Sequence, residues 1–353
     1  MTMPAFPGVG VGRGAAPGKV ILLGEHAVVY GRTALAAAID RWVEACVERV
    51  DGATQFAAFA PLGNRAGRYE GSDRVGAPLT LPLSSSEERG PSPQDARFTQ
   101  ALARAAELLD IPTHPCAVTI RADLPVGVGL GSSAALSVAL VRALSRWSAR
   151  PLDDTSVCAY AFELERIFHG HPSGVDNTVA TYGGLIAFRR GAATRPLVAA
   201  QPIPLVVALG HSPRRTQRIV AALRHRWERD APAYEPLFDE IDWLVAAAEP
   251  AIARADLATL GGLLNSNHAL LRRLGVSTEE LDHMIGLART AGAYGAKLTG
   301  GGGGGAVICV GDVERLVTAF RHGGWTTFVT EIGTRGIDAA DSTNRMDHAT
   351  LSA

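Results

Sequence analysis

Val20–Leu23 is a short apolar run set between glycines, and it predicts a buried strand. The stretch ahead of it, 1–18, is dense in Gly and Pro and reads as coil. Trp42–Val50 alternates well enough to predict a second strand, and Asp51–Pro93, rich in Gly, Pro, Ser and scattered charge, predicts hairpins and a long loop. Phe98, Leu102, Ala105 and Leu109 then fall on one stripe of a helix over Ala96–Leu109. A strand at Val118–Ala122, helices at Ser132–Trp147 and Val157–Phe168, and strands at Leu185–Phe188 and Pro204–Leu209 come next.

The texture then changes. Helical spacing fills Arg215–Trp227, Pro236–Ala248, Leu257–Leu274 and Ser277–Ala291, the last opened by hydroxyls with Glu280 three residues after Ser277, a capping-box signature. A strand at Ala296–Leu298, the run Gly300–Gly305, a strand at Ala306–Val310, a helix from Val313, a strand at Thr326–Thr330 and a loose tail after Gly333 complete the chain. The order predicts an N-terminal α/β half and a helix-rich α+β half that join near 189–203, giving domains 1–192 and 193–353.

Length and charge narrow the class. The 353 residues suffice for two domains, 47% of them are hydrophobic, and a formal net charge of -1 argues against a nucleic-acid binder. The basic clusters Arg214–Arg218 and Arg224–Arg226 lie in helical sequence and read as solvated faces. No run approaches the roughly 20 apolar residues that span a bilayer, and the N-terminus lacks the basic head and apolar core of a secretory signal. Cys46, Cys116, Cys158 and Cys309 are scattered, which predicts buried thiols in a reducing cytoplasm.

Glycine, at 39 residues, is unevenly spread, and its clusters carry the chemistry. Pro125-Val126-Gly127-Val128-Gly129-Leu130-Gly131-Ser132-Ser133-Ala134-Ala135 leaves a predicted strand and opens a predicted helix. Glycines let the backbone approach a ligand closely. The helix start adds unpaired N–H groups and the positive end of its dipole, which together make a cradle for a polyphosphate. Ser132 or Ser133 offers a hydroxyl oxygen to Mg²⁺. No Gly-Lys-Ser/Thr comes after it, so this is not a Walker A loop; it also lies too deep in the chain, without the later acidic residue, for a dinucleotide fingerprint.

Glu165 and Asp176 bracket a turn between predicted helices. Phosphoryl transfer needs a metal to neutralise phosphates and a carboxylate beside the attacking hydroxyl, and these acids suit the two tasks; taken singly, each reads as a surface or capping residue. His169 and His171 lack an evident third ligand and read as turn-packing residues. Lys297-Leu298-Thr299 precedes six consecutive glycines, Gly300–Gly305, an entropically costly stretch that makes sense close to phosphates or substrate. In Ala16–Gly31 a lysine opens the strand and Glu25-His26 close it; pattern alone assigns no chemistry there.

Together these four segments resemble the GHMP kinases, the family named for galactokinase, homoserine kinase, mevalonate kinase and phosphomevalonate kinase. The resemblance runs from about Ala16 to Thr330 with the motifs in family order. KVILLGEHAVVYG (19–31), ERIFHGHPSGVDN (165–177), KLTGGGGGG (297–305), and Asn267-His268 with Leu274–Ser277 are most similar to the mevalonate-phosphorylating branch.

The resemblance implies an α+β architecture with a ribosomal-protein-S5-like N-terminal domain, a ferredoxin-like C-terminal domain and the active site in the cleft between them. It implies that Pro125, Gly127, Gly129, Leu130, Gly131, Ser132, Ser133 and Ala134 bind ATP, with Gly300, Gly301 and Gly302 closing over the phosphates. Ser133 and Glu165 would hold Mg²⁺, Asp176 would act on the acceptor hydroxyl as base or orienter, and Lys19 would lower that hydroxyl's pKa. Glu25, His26 and Thr216 would contact mevalonate, and a cytoplasmic homodimer is the implied assembly. His171 and Gly301 stand where Asn and Ala are common in that branch, and the expected adenine region, Asp51–Pro93, matches nothing residue by residue. Another GHMP kinase acting on a phosphorylated acceptor would call for basic residues beyond Lys19, and a non-catalytic binding protein would not need Lys19, Ser133, Glu165 and Asp176 together.

Overall fold

The computed structural model describes residues 10–50, 55–60, 79–81, 93–111, 116–170, 172–212 and 216–333. Most of the 51–93 loop, His171, Arg214, Arg215 and the tail after Gly333 lie outside the described residues.

Strands β1 (Val11–Leu23), β2 (Ala34–Arg49), β3 (Gln55–Ala60) and β4 (Leu79–Leu81), helix α1 (Pro93–Leu108) and strand β5 (Cys116–Ala122) come first. Helices α2 (Ser132–Trp147), α3 (Asp154–His169) and α4 (Val175–Tyr182) and strands β6 (Leu185–Phe188) and β7 (Arg195–Leu197) complete this half. The long β2 organises it. It pairs antiparallel with β1 along one edge, and on the other with β6 through Ala34–Ala37 and with β5 through Val43–Arg49. β3 joins β5 in parallel and β4 closes a hairpin on β3.

β1 begins at Val11, so the latter part of the stretch read as coil is strand. The reason is close packing. A Cβ on Gly12 would lie 2.5 Å from Trp147 Cβ, and one on Gly14 would lie 2.2 Å from the Ala139 carbonyl oxygen, so only a strand without side chains there can press onto α2. The small residues that suggested coil are what the packing requires. Side-chain alternation then places Val20 and Leu22 on one face of β1 and Lys19 and Ile21 on the other. On that second face Ile21, Ala34, Ala36, Val175, Val179, Ile186 and Phe188 form a compact cluster that seats α4.

The second half contains strand β8 (Ile203–Leu209), helices α5 (Thr216–Arg229), α6 (Ala231–Ala253), α7 (Leu257–Arg273) and α8 (Glu279–Thr290), strands β9 (Gly295–Thr299) and β10 (Ala306–Val310), helix α9 (Val313–His322) and strand β11 (Thr326–Ile332). Its antiparallel sheet has the order β11-β8-β10-β9, fourth-first-third-second, which is the ferredoxin-like arrangement. β7 still belongs to the first sheet and β8 to the second, so the sheets hand over between Leu197 and Ile203. The start of α8 differs from the capping box read from sequence. Thr278 is the N-cap and accepts from Leu281 N–H, while the Glu280 carboxylate accepts instead from the His211 and Ser212 amides.

All four cysteines are free; Cys116 and Cys309 are buried, whereas Cys46 and Cys158 are only half-buried. Among the described residues no helix is long and apolar enough to cross a membrane. Side chains of both halves merge in one apolar core.

Candidate active site

The loop between β5 and α2 takes its shape from alternating backbone handedness. Gly127, Gly129 and Gly131 have φ of +79°, +93° and +76°, while Val128 and Leu130 between them keep ordinary negative values. Such alternation turns successive N–H groups to one side and forms an anion-binding concavity. Gly131 is also the N-cap of α2 and has no side chain to cap it, so the first-turn amides of Ser132, Ser133 and Ala134 remain available to a ligand. Pro125 through Ala134 thus form one continuous turn from loop to helix. Leu130 and Ala134 are fully buried.

Lys19 ties this loop to the start of α4. Its own N–H donates to Leu130 O at 2.8 Å, and its ammonium donates to Gly129 O at 3.2 Å. The same ammonium lies 3.1 Å from Asp176 Oδ2, on the first turn of α4, whose N-cap Gly174 has φ +96°. Lys19 is buried, whereas 32% of the Asp176 side chain is exposed and available to a small molecule.

A second cluster adjoins it. Ser133 Oγ donates to Glu165 Oε2 at 3.2 Å and shares a 2.8 Å hydrogen bond with His169 Nε2, while Ser137 Oγ reaches Glu165 Oε1 at 3.4 Å. Burial pushes the Glu165 carboxyl up to about 8, and the nearby charge of Asp176 adds to the rise. A buried carboxylate held above neutrality, beside a hydroxyl and facing a phosphate cradle, fits a hard divalent cation, whose charge would restore the ionised form. Among the described residues no group of three His, Cys, Asp or Glu side chains forms a metal cage. Mg²⁺ carried with a nucleotide needs only one or two protein ligands besides phosphate oxygens. His169, read from sequence as a turn-packing residue, belongs to this cluster; His171 lies outside the described residues.

Around Glu25-His26 the backbone is strained. His26 has φ +61° and ψ -51°, and Ala27 N–H donates to Glu25 O at 2.7 Å, which closes a three-residue γ-turn of the rarer, positive-φ kind. A non-glycine residue in such a region costs on the order of 1–3 kcal/mol and persists only where its surroundings fix it. Glu25, expected beside the acceptor, sits in the interior here. Glu25 is 1% exposed, Lys297 Nζ donates to its Oε1, and Asn267 Nδ2 donates to its Oε2 at 3.1 Å, so no oxygen faces an open space. Thr216, half-buried at the start of α5, donates to Gly302 O at 3.0 Å and is thus fixed against the second glycine loop.

That loop, Gly300–Gly305, links β9 to β10 at the same end of the molecule. Thr299 Oγ1 accepts from Ile21 N–H at 2.8 Å and donates to Ile21 O at 3.0 Å, so the loop starts one residue from a direct bond to the strand of Lys19. Gly303 N–H donates to Val276 O at 2.9 Å, and a Cβ on Gly302 would lie 2.2 Å from that oxygen. The sequence motifs contain Lys297, Thr299 and Asn267 without assigning them a site role, and His169 reads there as a turn-packing residue. Signals existed for two of them: Lys297 is a lone cation in an apolar strand and needs a buried partner, and His169 is four residues after Glu165 on one helix face.

With this geometry in hand, relatives are informative. The family model described as GHMP kinases N terminal domain matches residues 97–184, and that described as GHMP kinases C terminal matches residues 248–324. The chain is 35% identical over 344 residues to a mevalonate kinase of Pyrococcus abyssi, covering 92% of this chain and 96% of that one. It is 34% identical over 325 residues to a mevalonate kinase of Methanothermobacter thermautotrophicus, covering 92% and 98%. Its fold matches the crystal structure of L. major mevalonate kinase in complex with R-mevalonate with a TM-score of 0.75 at 28% identity, covering 96% of this chain and 100% of that chain.

Proposed function

Since the chain belongs to the GHMP kinase family, we propose that it transfers the γ-phosphoryl group of ATP to the 5-hydroxyl of (R)-mevalonate, giving 5-phosphomevalonate and ADP. The observation that carries the reading is the pairing of Lys19 with Asp176 at 3.1 Å at the rim of the Gly127–Gly131 cradle. A cation and a partly exposed carboxylate stand there beside a site built for phosphates. The names of the relatives supply the acceptor.

In this reading the amides of the first glycine loop and of the α2 start hold the triphosphate, and Gly300–Gly302 close over it. Ser133 and Glu165 would hold the Mg²⁺ that comes with the nucleotide, and that ion would supply neutralisation of phosphate charge. Asp176 Oδ2 accepts the hydrogen bond of the acceptor hydroxyl and aims its lone pair at the phosphorus; the proton passes to it as the new P–O bond forms, late in a loose transition state. Lys19 stabilises the charge that develops on the attacking oxygen. His26 and Thr216 line the acceptor side. Transfer is in line and direct, so no phosphoenzyme forms. We further propose a homodimer working in the reducing cytoplasm.

A coupled assay of ADP release over a panel of small alcohols, mevalonate, phosphomevalonate, homoserine and galactose, tests the assignment. Mevalonate should be the preferred acceptor, and ³¹P NMR of the product should show phosphorus coupled to the C5 methylene protons. Preference for another acceptor, or coupling to a different carbon, would refute it.

A further inference from the structure

Lys297 stands in the middle of β9, fully buried, and reaches across to Glu25 at the end of β1. A buried ion pair adds little net stability, because desolvating two charges offsets their attraction, yet removing one partner strands the other in the interior. The pair is therefore better understood by the geometry it fixes. Lys297 Nζ also donates to Leu298 O at 2.6 Å and to Ile21 O at 3.5 Å, and Asn267 takes the second oxygen of Glu25 at 3.1 Å. Lys297 and Asn267, which hold the two oxygens of the Glu25 carboxylate, both belong to the C-terminal half. Glu25 itself opens the strained γ-turn that carries His26. Side chains of the second half thus grip the first residue of the turn that carries His26, the residue proposed above to line the acceptor side.

We infer that Lys297 is a positioning residue for acceptor binding: it clamps Glu25 from the second half of the molecule, holds the Glu25–His26–Ala27 turn in its strained form, and so aims the His26 imidazole. The inference rests on the acceptor site proposed above. Lys297 touches no substrate; it acts through Glu25. Its loss leaves a buried carboxylate without its cation, the turn relaxes, and the acceptor loses its aligned partner while the phosphate cradle, built from residues 125–134, keeps its shape.

Steady-state kinetics with ATP, Mg²⁺ and (R)-mevalonate, together with thermal melting, on full-length Lys297→Met, Glu25→Gln and the double variant test this. Lys297→Met is expected to raise KM for mevalonate about 10- to 100-fold, with KM for ATP within about twofold of wild type. The double variant, free of buried charge, is expected to recover most of the lost melting temperature but to keep the raised mevalonate KM. An unchanged mevalonate KM, an equal rise for both substrates, or a double variant restored in melting and KM alike overturns the inference and leaves the pair purely structural. Should Lys297→Met not fold, the double variant decides by its mevalonate KM. A wild-type enzyme inactive on mevalonate overturns the proposed acceptor and the inference with it, whereas an active wild type with unaltered variants overturns the inference alone.

Discussion

His268 offers a quantitative check on the packing between α7 and α8. The imidazole is 5% exposed; Nε2 lies 3.1 Å from Asp282 Oδ1, and Nδ1 is buried with no partner among the described residues. Asp282 would raise the imidazole pKa, but Ser277 Oγ at 2.6 Å and Arg272 Nε at 2.9 Å already engage that carboxylate, and Lys297 repels a second cation. Protonating Nδ1 would also bury an N–H without an acceptor. Burial therefore wins and pushes His268 down to about 4. A pKa lowered on folding means that, between pH 6.5 and about 4, the unfolded chain holds a proton the native one lacks, so stability falls as pH falls through that window. At about 1.4 kcal/mol per pH unit the loss amounts to about 3 kcal/mol. Urea denaturation at pH 7.5, 6, 5 and 4 measures it. Against wild type, His268→Gln should show a flatter decline by about 3 kcal/mol over that range, whatever packing it loses at pH 7.5. Parallel pH profiles for the two proteins would refute the reasoning.

Other expectations are quicker to check. Ser133→Ala and Glu165→Gln should each raise the Mg²⁺ concentration needed for half-maximal rate by about tenfold or more, read by metal titration at saturating ATP. Gly14→Ala forces a Cβ to within 2.2 Å of Ala139 O and should lower the stability of the β1–α2 contact by about 1–3 kcal/mol, seen as a drop in melting temperature. Lys19→Met, which loses the ammonium bond to Gly129 O but keeps the backbone bond to Leu130 O, should depress kcat by about two orders of magnitude or more with a much smaller change in nucleotide affinity, as measured by calorimetry.

Elements with uninterrupted periodicity and clear punctuation were legible in the sequence. Ser132–Trp147, Leu185–Phe188 and Ala306–Val310 coincide with α2, β6 and β10 because glycine or hydroxyl residues bound apolar faces there. The first part of β1 was not, since its Gly and Ala residues answer to a helix that lies far away in sequence. The start of α8 turned on which of two adjacent hydroxyls caps it; Ser277 is drawn to Asp282, which leaves the task to Thr278. In the site, the acids and the glycine loops stood out because polyphosphate chemistry restricts the residue types that serve it. Lys297 and the γ-turn at His26 did not, because a buried cross-domain pair and a strained φ exist only once the two halves have met.

Single-turnover phosphoryl transfer to (R)-mevalonate in wild type and Asp176→Asn, with nucleotide binding measured in parallel, reaches the account most directly. In the proposed mechanism the carboxylate at position 176 orients the hydroxyl and takes its proton, so the rate should fall by about three orders of magnitude or more while ATP affinity stays within about threefold. Transfer at the wild-type rate in Asp176→Asn, with nucleotide bound normally, would contradict it.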